Sequence, residues 1–156
     1  MREVSGSTWV FQIMILFILI FACFLTLVLN YNKAYRVKNS MVSIIEIHEG
    51  ITDESMSLLN NVLRGEGYNN TGACPQGDDG WYGVTNFEGD YEEAQDGKRY
   101  NFCFKRYKTV EDDEYYEIKV FYEFSLPFLG QISVFPITGR TDNFMGSNSQ
   151  IIDERR

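Results

Sequence analysis

Histidine is nearly absent from this chain: His48 is the only one in 156 residues. A His-Glu-x-x-His zinc helix therefore cannot be built. The lone histidine sits in Glu-Ile-His-Glu-Gly, where only Glu46 and Glu49 share a helix face, so that trio reads as a polar helix end rather than a metal site. The three cysteines, Cys23, Cys74 and Cys103, show no C-x-x-C or C-x-x-H spacing. There is no G-x-S-x-G and no phosphate-binding glycine loop, and Gly65-Glu66-Gly67 is too short to cradle a nucleotide. Basic residues are also scarce, at 14 Lys and Arg against 22 Asp and Glu, a net charge of −8. Without a basic stripe or basic–aromatic interleaving, nucleic acid is not an expected partner. Anionic lipid headgroups would repel most of such a surface. These gaps exclude every recognisable catalytic or cofactor-binding constellation. The reading is of a non-enzyme with no cofactor, no metal and no evident small-molecule substrate.

Charge is missing most completely from the start. No charged side chain stands between Glu3 and Lys33, and Trp9 to Leu29 is almost wholly Val, Ile, Leu, Phe and Met. Twenty-one residues at about 1.5 Å each give a helix of about 31 Å, the thickness of a bilayer's hydrocarbon core. A cleavable secretory signal has a shorter apolar run and a small-x-small site, which Leu-Thr-Leu-Val-Leu-Asn-Tyr does not provide. The expected organisation is a short N-terminal segment (1–8), a retained transmembrane helix (9–30), a folded domain (31–145) and a polar tail (146–156).

The side of the membrane is contested by two signals. Lys33, Arg36 and Lys38 follow the apolar run while Arg2, offset by Glu3, precedes it. By the positive-inside rule that bias favours a cytoplasmic domain. Cys74 and Cys103 argue the other way. Two cysteines in one soluble part can pair, closing a loop of about 30 residues worth about 3–4 kcal/mol in an oxidising compartment. We place the domain outside the cytoplasm. Cys23, within the apolar run, reads as a small apolar residue.

No proline or glycine separates the apolar run from Gly50, so the helix is expected to continue out of the membrane. There Ala34, Val37, Met41, Ile44 and His48 recur at spacings of three and four, a narrow stripe that Ile45 widens. Such a stripe packs on a neighbouring subunit's helix or on the chain's own domain, periodicity does not separate the two, and they can coexist, one side covering the sheet and another facing a neighbour. Gly50 should close this helix. Thr52 should cap a second, with Asp53 and Glu54 at its positive end, Met56, Leu59, Val62 and Leu63 on its apolar face, and Gly65 and Gly67 ending it.

Residues 68–80 are nearly all turn-formers, and Asn69-Asn70-Thr71 fits the N-glycosylation pattern. Beyond them the period becomes two. Trp81 to Phe87 is a candidate short strand. Tyr100, Phe102 and Phe104 are expected on one face of the next. Tyr116, Ile118, Val120, Tyr122 and Phe124 oppose Glu117, Lys119 and Glu123 in a third. Residues 109–114 should form the hairpin between them. Glu111 to Glu114 and Asp78-Asp79 read as solvated turns, lacking calcium-loop spacing. After Pro127 a last strand carries Pro136, which suits an edge or bulge. The predicted fold is α+β: a long N-terminal transmembrane helix continuing into an amphipathic helix packed on a small antiparallel sheet.

Two stretches, residues 6–46 and 119–144, resemble type IV pilin-like proteins, most closely the TadE-like minor pilins of the tight-adherence branch in their divergent Gram-positive form. The resemblance implies a membrane-anchored structural or assembly subunit of a Tad or type IV-like pilus or secretion apparatus. Its partners would be the bilayer and other pilin-like subunits, met through the N-terminal helix with Ala34, Val37, Met41 and Ile44 as its packing face. It also implies a prepilin-type cleavage after Gly6. Five residues beyond Gly6, where the family usually has glutamate, stands Phe11. That departure implies a minor or initiating subunit, or one retained in the membrane as a scaffold. The rival reading is a single-pass anchored binding module, with the helix a tether and the domain, in a chain of ten Tyr and twelve Phe, the recognising surface.

Overall fold

The apolar start and the amphipathic stretch after it form one helix, α1 (Glu3–Ile47), of 45 residues, about 67 Å long. The structure, a computed structural model, describes residues 3–77, 80–85, 90–110, 113–126 and 130–145. Along the lower half, large apolar side chains stand bare: Trp9 is 70% exposed and Leu29 68%. The upper half is buried along one side by the rest of the chain. The helix ends in a left-handed turn, where the Gly50 N–H donates to Ile45 O at 3.0 Å. The left-handed residues are Glu49 (φ 49°) and Gly50 (φ 141°), so a glutamate takes part in the turn expected of Gly50 alone.

Helix α2 (Asp53–Gly65) begins where its sequence says it should. The Thr52 hydroxyl accepts from the Ser55 N–H at 3.1 Å, and Ser55 Oγ accepts from the Thr52 N–H at 2.8 Å, a reciprocal capping box. Its C-terminal turn uses Gly67 (φ 58°), with the Tyr68 N–H donating to Leu63 O at 2.8 Å.

The described residues also form a six-stranded antiparallel sheet: β1 (Trp81–Val84), β2 (Tyr91–Glu93), β3 (Phe102–Lys108), β4 (Asp113–Leu126), β5 (Gly130–Arg140) and β6 (Phe144–Met145). The order is β2-β1-β3-β4-β5, with β6 pairing the start of β4. Pro136 lies on an edge strand, where a missing N–H does least harm. The fold is thus α+β, with more strands than the sequence suggested.

Alternation assigns the two faces. Phe102, Phe104, Tyr116, Ile118 and Val120 turn toward the helices and join Ala34, Val37, Met41, Ile45, Leu59 and Leu63 in the main core. Of the two partners open to the stripe, the chain's own sheet is the one that covers Ala34, Val37 and Met41, the residues that the resemblance assigns to a packing face between subunits. Ala34, Val37 and Met41 are at most 1% exposed, and Ile44 is half-buried against the same core. The opposite face carries a second cluster: Cys74, Trp81, Tyr100, Cys103 and Phe121. Tyr100 belongs here rather than beside Phe102, because the chain bends at Asn101 before β3 begins. Gly83 lies beneath the Tyr100 ring and Gly72 beneath Phe121, each so close that a Cβ would overlap the ring.

The acidic run 111–114 is only partly described. Glu114 is no solvated turn residue: it is 1% exposed and pairs with Arg106 and, at 3.4 Å, with Lys108. Glu111, Asp112, Asp78, Asp79, Pro127 and the tail 146–156 lie outside the described residues.

Candidate functional site

Two places combine unusual side chains with a defined position: the level at which α1 leaves its apolar run, and the strip where β3 stops pairing with β4.

At the first, Tyr31 and Tyr35 sit one turn apart with rings stacked at 6.2 Å. Tyr122 meets Tyr31 edge-on at 5.7 Å and stacks on Phe135 at 5.3 Å, so the aromatic set spans α1, β4 and β5. Basic residues surround it. Lys38 lies over the Tyr35 ring at 4.4 Å, Lys33 Nζ donates to Gly67 O at 2.7 Å, and Arg36 pairs with Glu66 at 3.1 Å. Leu29, Asn32, Lys33, Tyr35, Arg36 and Glu66 enclose an open recess of about 660 Å³. Tyrosines with basic neighbours just beyond an apolar helix are the usual composition of a membrane–water boundary. The ion pair is largely exposed and is worth little to stability.

At the second, β3 pairs with β4 as far as Phe102↔Val120, and the Tyr68 hydroxyl takes over at the next position. It accepts the Phe121 N–H at 2.7 Å, donates to the Phe121 carbonyl, and lies 3.4 Å from Asn101 O. One phenol thereby bonds both backbone groups of a strand residue that has lost its neighbour. Burial pushes the phenol's pKa well above the ordinary tyrosine value, against a smaller lowering by the Phe121 backbone. Asn70 Nδ2 also reaches the Phe121 carbonyl, at 3.3 Å. No periodicity announces this contact, which joins residues 53 apart in sequence. A tyrosine at the end of a helix cap was its only trace.

The other singled-out residues are scattered. Cys74 and Cys103 are joined in a disulfide with Cα atoms 5.7 Å apart, on the face away from the helices, while Cys23 is free in the apolar half of α1. Gly6 falls within α1, so a peptidase cutting after it would have to unwind the first turns. Among the described residues no group of three or more His, Cys, Asp or Glu side chains comes together, and His48 stands apart at the helix end. The α1 face that stays open beside the domain carries Asn32, Arg36, Asn39, Ser40, Ser43 and Ile47. Among the described residues one helix is long and apolar enough to cross a membrane, with an apolar window of mean hydropathy 2.9. Compared with protein-family models, with curated proteins and with solved structures, the chain matches none.

Proposed function

We propose that this protein is a single-pass membrane subunit of pilin-like design, a structural or assembly component whose domain stands outside the cytoplasm and performs no catalysis. The observation that supports this most is the uninterrupted α1: a bare apolar half and a half buried under its own sheet, with no linker between them. A tether gains nothing from such rigidity, whereas a subunit that must hold its domain in register with neighbours depends on it. Because Val37 and Met41 are buried in their own core, a neighbouring subunit would meet the bare lower half and the open face from Asn32 to Ile47.

Replacing residues 9–29 with an unrelated apolar helix of equal length tests this directly. Loss of co-purification with partner subunits is expected while membrane insertion persists. Unchanged complexes would make the helix an anchor and leave the domain as a binding module. The side of the membrane is tested by Ser57→Cys, on the exposed side of α2, in a Cys23→Ala background: labelling of intact cells with an impermeant maleimide is expected, and labelling only after lysis would put the domain in the cytoplasm.

A further inference from the structure

We propose that the recess between α1 and the end of α2 seats one phospholipid headgroup, a phosphodiester that carries a primary ammonium. The assignment rests on the reading of α1 as a membrane span. The recess is lined by Leu29, Asn32, Lys33, Tyr35, Arg36 and Glu66. Leu29, Asn32, Lys33 and Arg36 recur at steps of three and four, and so share one side of the helix.

The level is that of the headgroups. Leu29 closes the apolar run. Above it along the axis, Asn32 stands about 4.5 Å higher, Lys33 about 6 Å and Arg36 about 10 Å. A headgroup layer adds about 5–7 Å to each side of the hydrocarbon core. Helical side chains lean toward the N-terminus, which for α1 is the membrane side, so Arg36 inclines toward Lys33. The two cationic heads converge on adjacent residues at the end of α2. Lys33 Nζ donates to Gly67 O at 2.7 Å, and Arg36 Nη2 donates to Glu66 Oε2 at 3.1 Å.

Going up the recess, the lining follows the order of groups in a phospholipid. Leu29, 68% exposed, is placed for the acyl end, and Asn32 brings an amide to the ester level. An ammonium has three N–H donors and a guanidinium five, so the bonds to Gly67 and Glu66 leave donors for a phosphate. Glu66 turns Oε2 to Arg36, which leaves Oε1 to accept from a cation. The end of α2 adds the negative pole of its dipole at the same place. A quaternary ammonium has no N–H to give Glu66, and an anionic headgroup has no cation for it to meet. The chain's net charge of −8 also disfavours an anionic lipid, whereas a zwitterion carries no net charge.

The test uses the full chain, disulfide oxidised, in mild nonionic detergent. Native mass spectrometry counts the lipid retained after mixing with dioleoyl phosphatidylethanolamine, phosphatidylcholine or phosphatidylglycerol. Wild type should retain one phosphatidylethanolamine, several-fold more often than either of the others. Lys33→Gln and Arg36→Gln should each lower that retention several-fold, and Glu66→Gln should bring it down to the phosphatidylcholine level. The Arg36–Glu66 pair is largely exposed, so variants at either position should keep the fold. Arg140→Gln, near the Glu46 level about 20 Å above Lys33, removes the same charge and should change nothing. Equal retention of the three lipids overturns the proposal, as does equal loss in Arg140→Gln or unchanged retention in both Lys33→Gln and Arg36→Gln. Displacement of the lipid by millimolar inorganic phosphate also overturns it, making the recess a free-phosphate site. The span is checked separately, by flotation of wild type with phosphatidylcholine vesicles. Protein that floats yet retains no phosphatidylethanolamine sinks this proposal alone; protein that does not float removes the membrane reading of α1 and the proposal with it.

Discussion

Removing a single oxygen, by Tyr68→Phe, isolates the strip where β3 leaves β4. The ring stays in the core, so packing is nearly conserved. The Phe121 carbonyl keeps Asn70 Nδ2 at 3.3 Å, but the Phe121 N–H loses its acceptor, in a position where Tyr68 is 1% exposed and Phe121 2%. A buried, unpaired donor costs about 1–3 kcal/mol, and the lost bond to the carbonyl adds about 0.5–1 kcal/mol. We expect a loss of about 2–3 kcal/mol. Denaturant unfolding in mild detergent, followed through Trp81 in a Trp9→Phe background, measures it. Hydrogen exchange at the Phe121 amide should accelerate in the same variant. The phenol supplies a second readout. Its folded pKa is raised above the ordinary value of about 10, so its stabilisation is complete below pH 10 and is lost as pH climbs toward the folded value. Wild type should therefore lose stability more steeply above pH 10 than Tyr68→Phe does. A variant within about 0.5 kcal/mol of wild type, with the Phe121 amide still protected, would refute the bonding scheme.

Other substitutions probe different links. Glu49→Gly relieves a left-handed glutamate and should stabilise by about 0.5–1 kcal/mol, read as a rise in the unfolding midpoint. Gly83→Ala drives a methyl into the buried Tyr100 ring and should cost about 1–3 kcal/mol in the same assay, while Gly77→Ala, with open space around it and φ 85°, should cost only its backbone strain. Replacing Cys74 and Cys103 together by alanine should remove about 3–4 kcal/mol, because the bond closes a 29-residue separation, and reduction of wild type should reproduce that loss. Met41→Lys should unfold the domain rather than merely detach a partner; a folded Met41→Lys domain would contradict its place in the core.

Local chemistry was readable where it depends on neighbours in sequence. The Thr52 cap, the end of α2 near Gly65 and Gly67, and the inward set Tyr116, Ile118 and Val120 follow from spacing alone. The stripe through Val37 and Met41 was visible too, but an apolar stripe looks the same whether it meets a foreign helix or its own sheet. Tyr100 was misplaced because alternation assumes a straight strand, and the bend at Asn101 reverses it. Strand β2 has three residues with two adjacent glutamates, and β6 has two residues, so neither is long enough to show a period. The Tyr68 hydroxyl and the burial of Glu114 depend on partners that only the tertiary fold brings near.

An unbroken helix is also a lever. The part of α1 above Tyr31 is about 24 Å long, so a tilt of about 20° in the bilayer would carry its upper end sideways by about 8 Å. Adding one residue below Tyr31 would raise the domain by about 1.5 Å and swing it through about 100° around the axis. With the apolar half of α1 in a bilayer, as proposed, azimuth and height at the surface are thus written in that half of the helix. Bilayer thickness, which alters helix tilt, becomes a mechanical input to how the domain faces its surroundings.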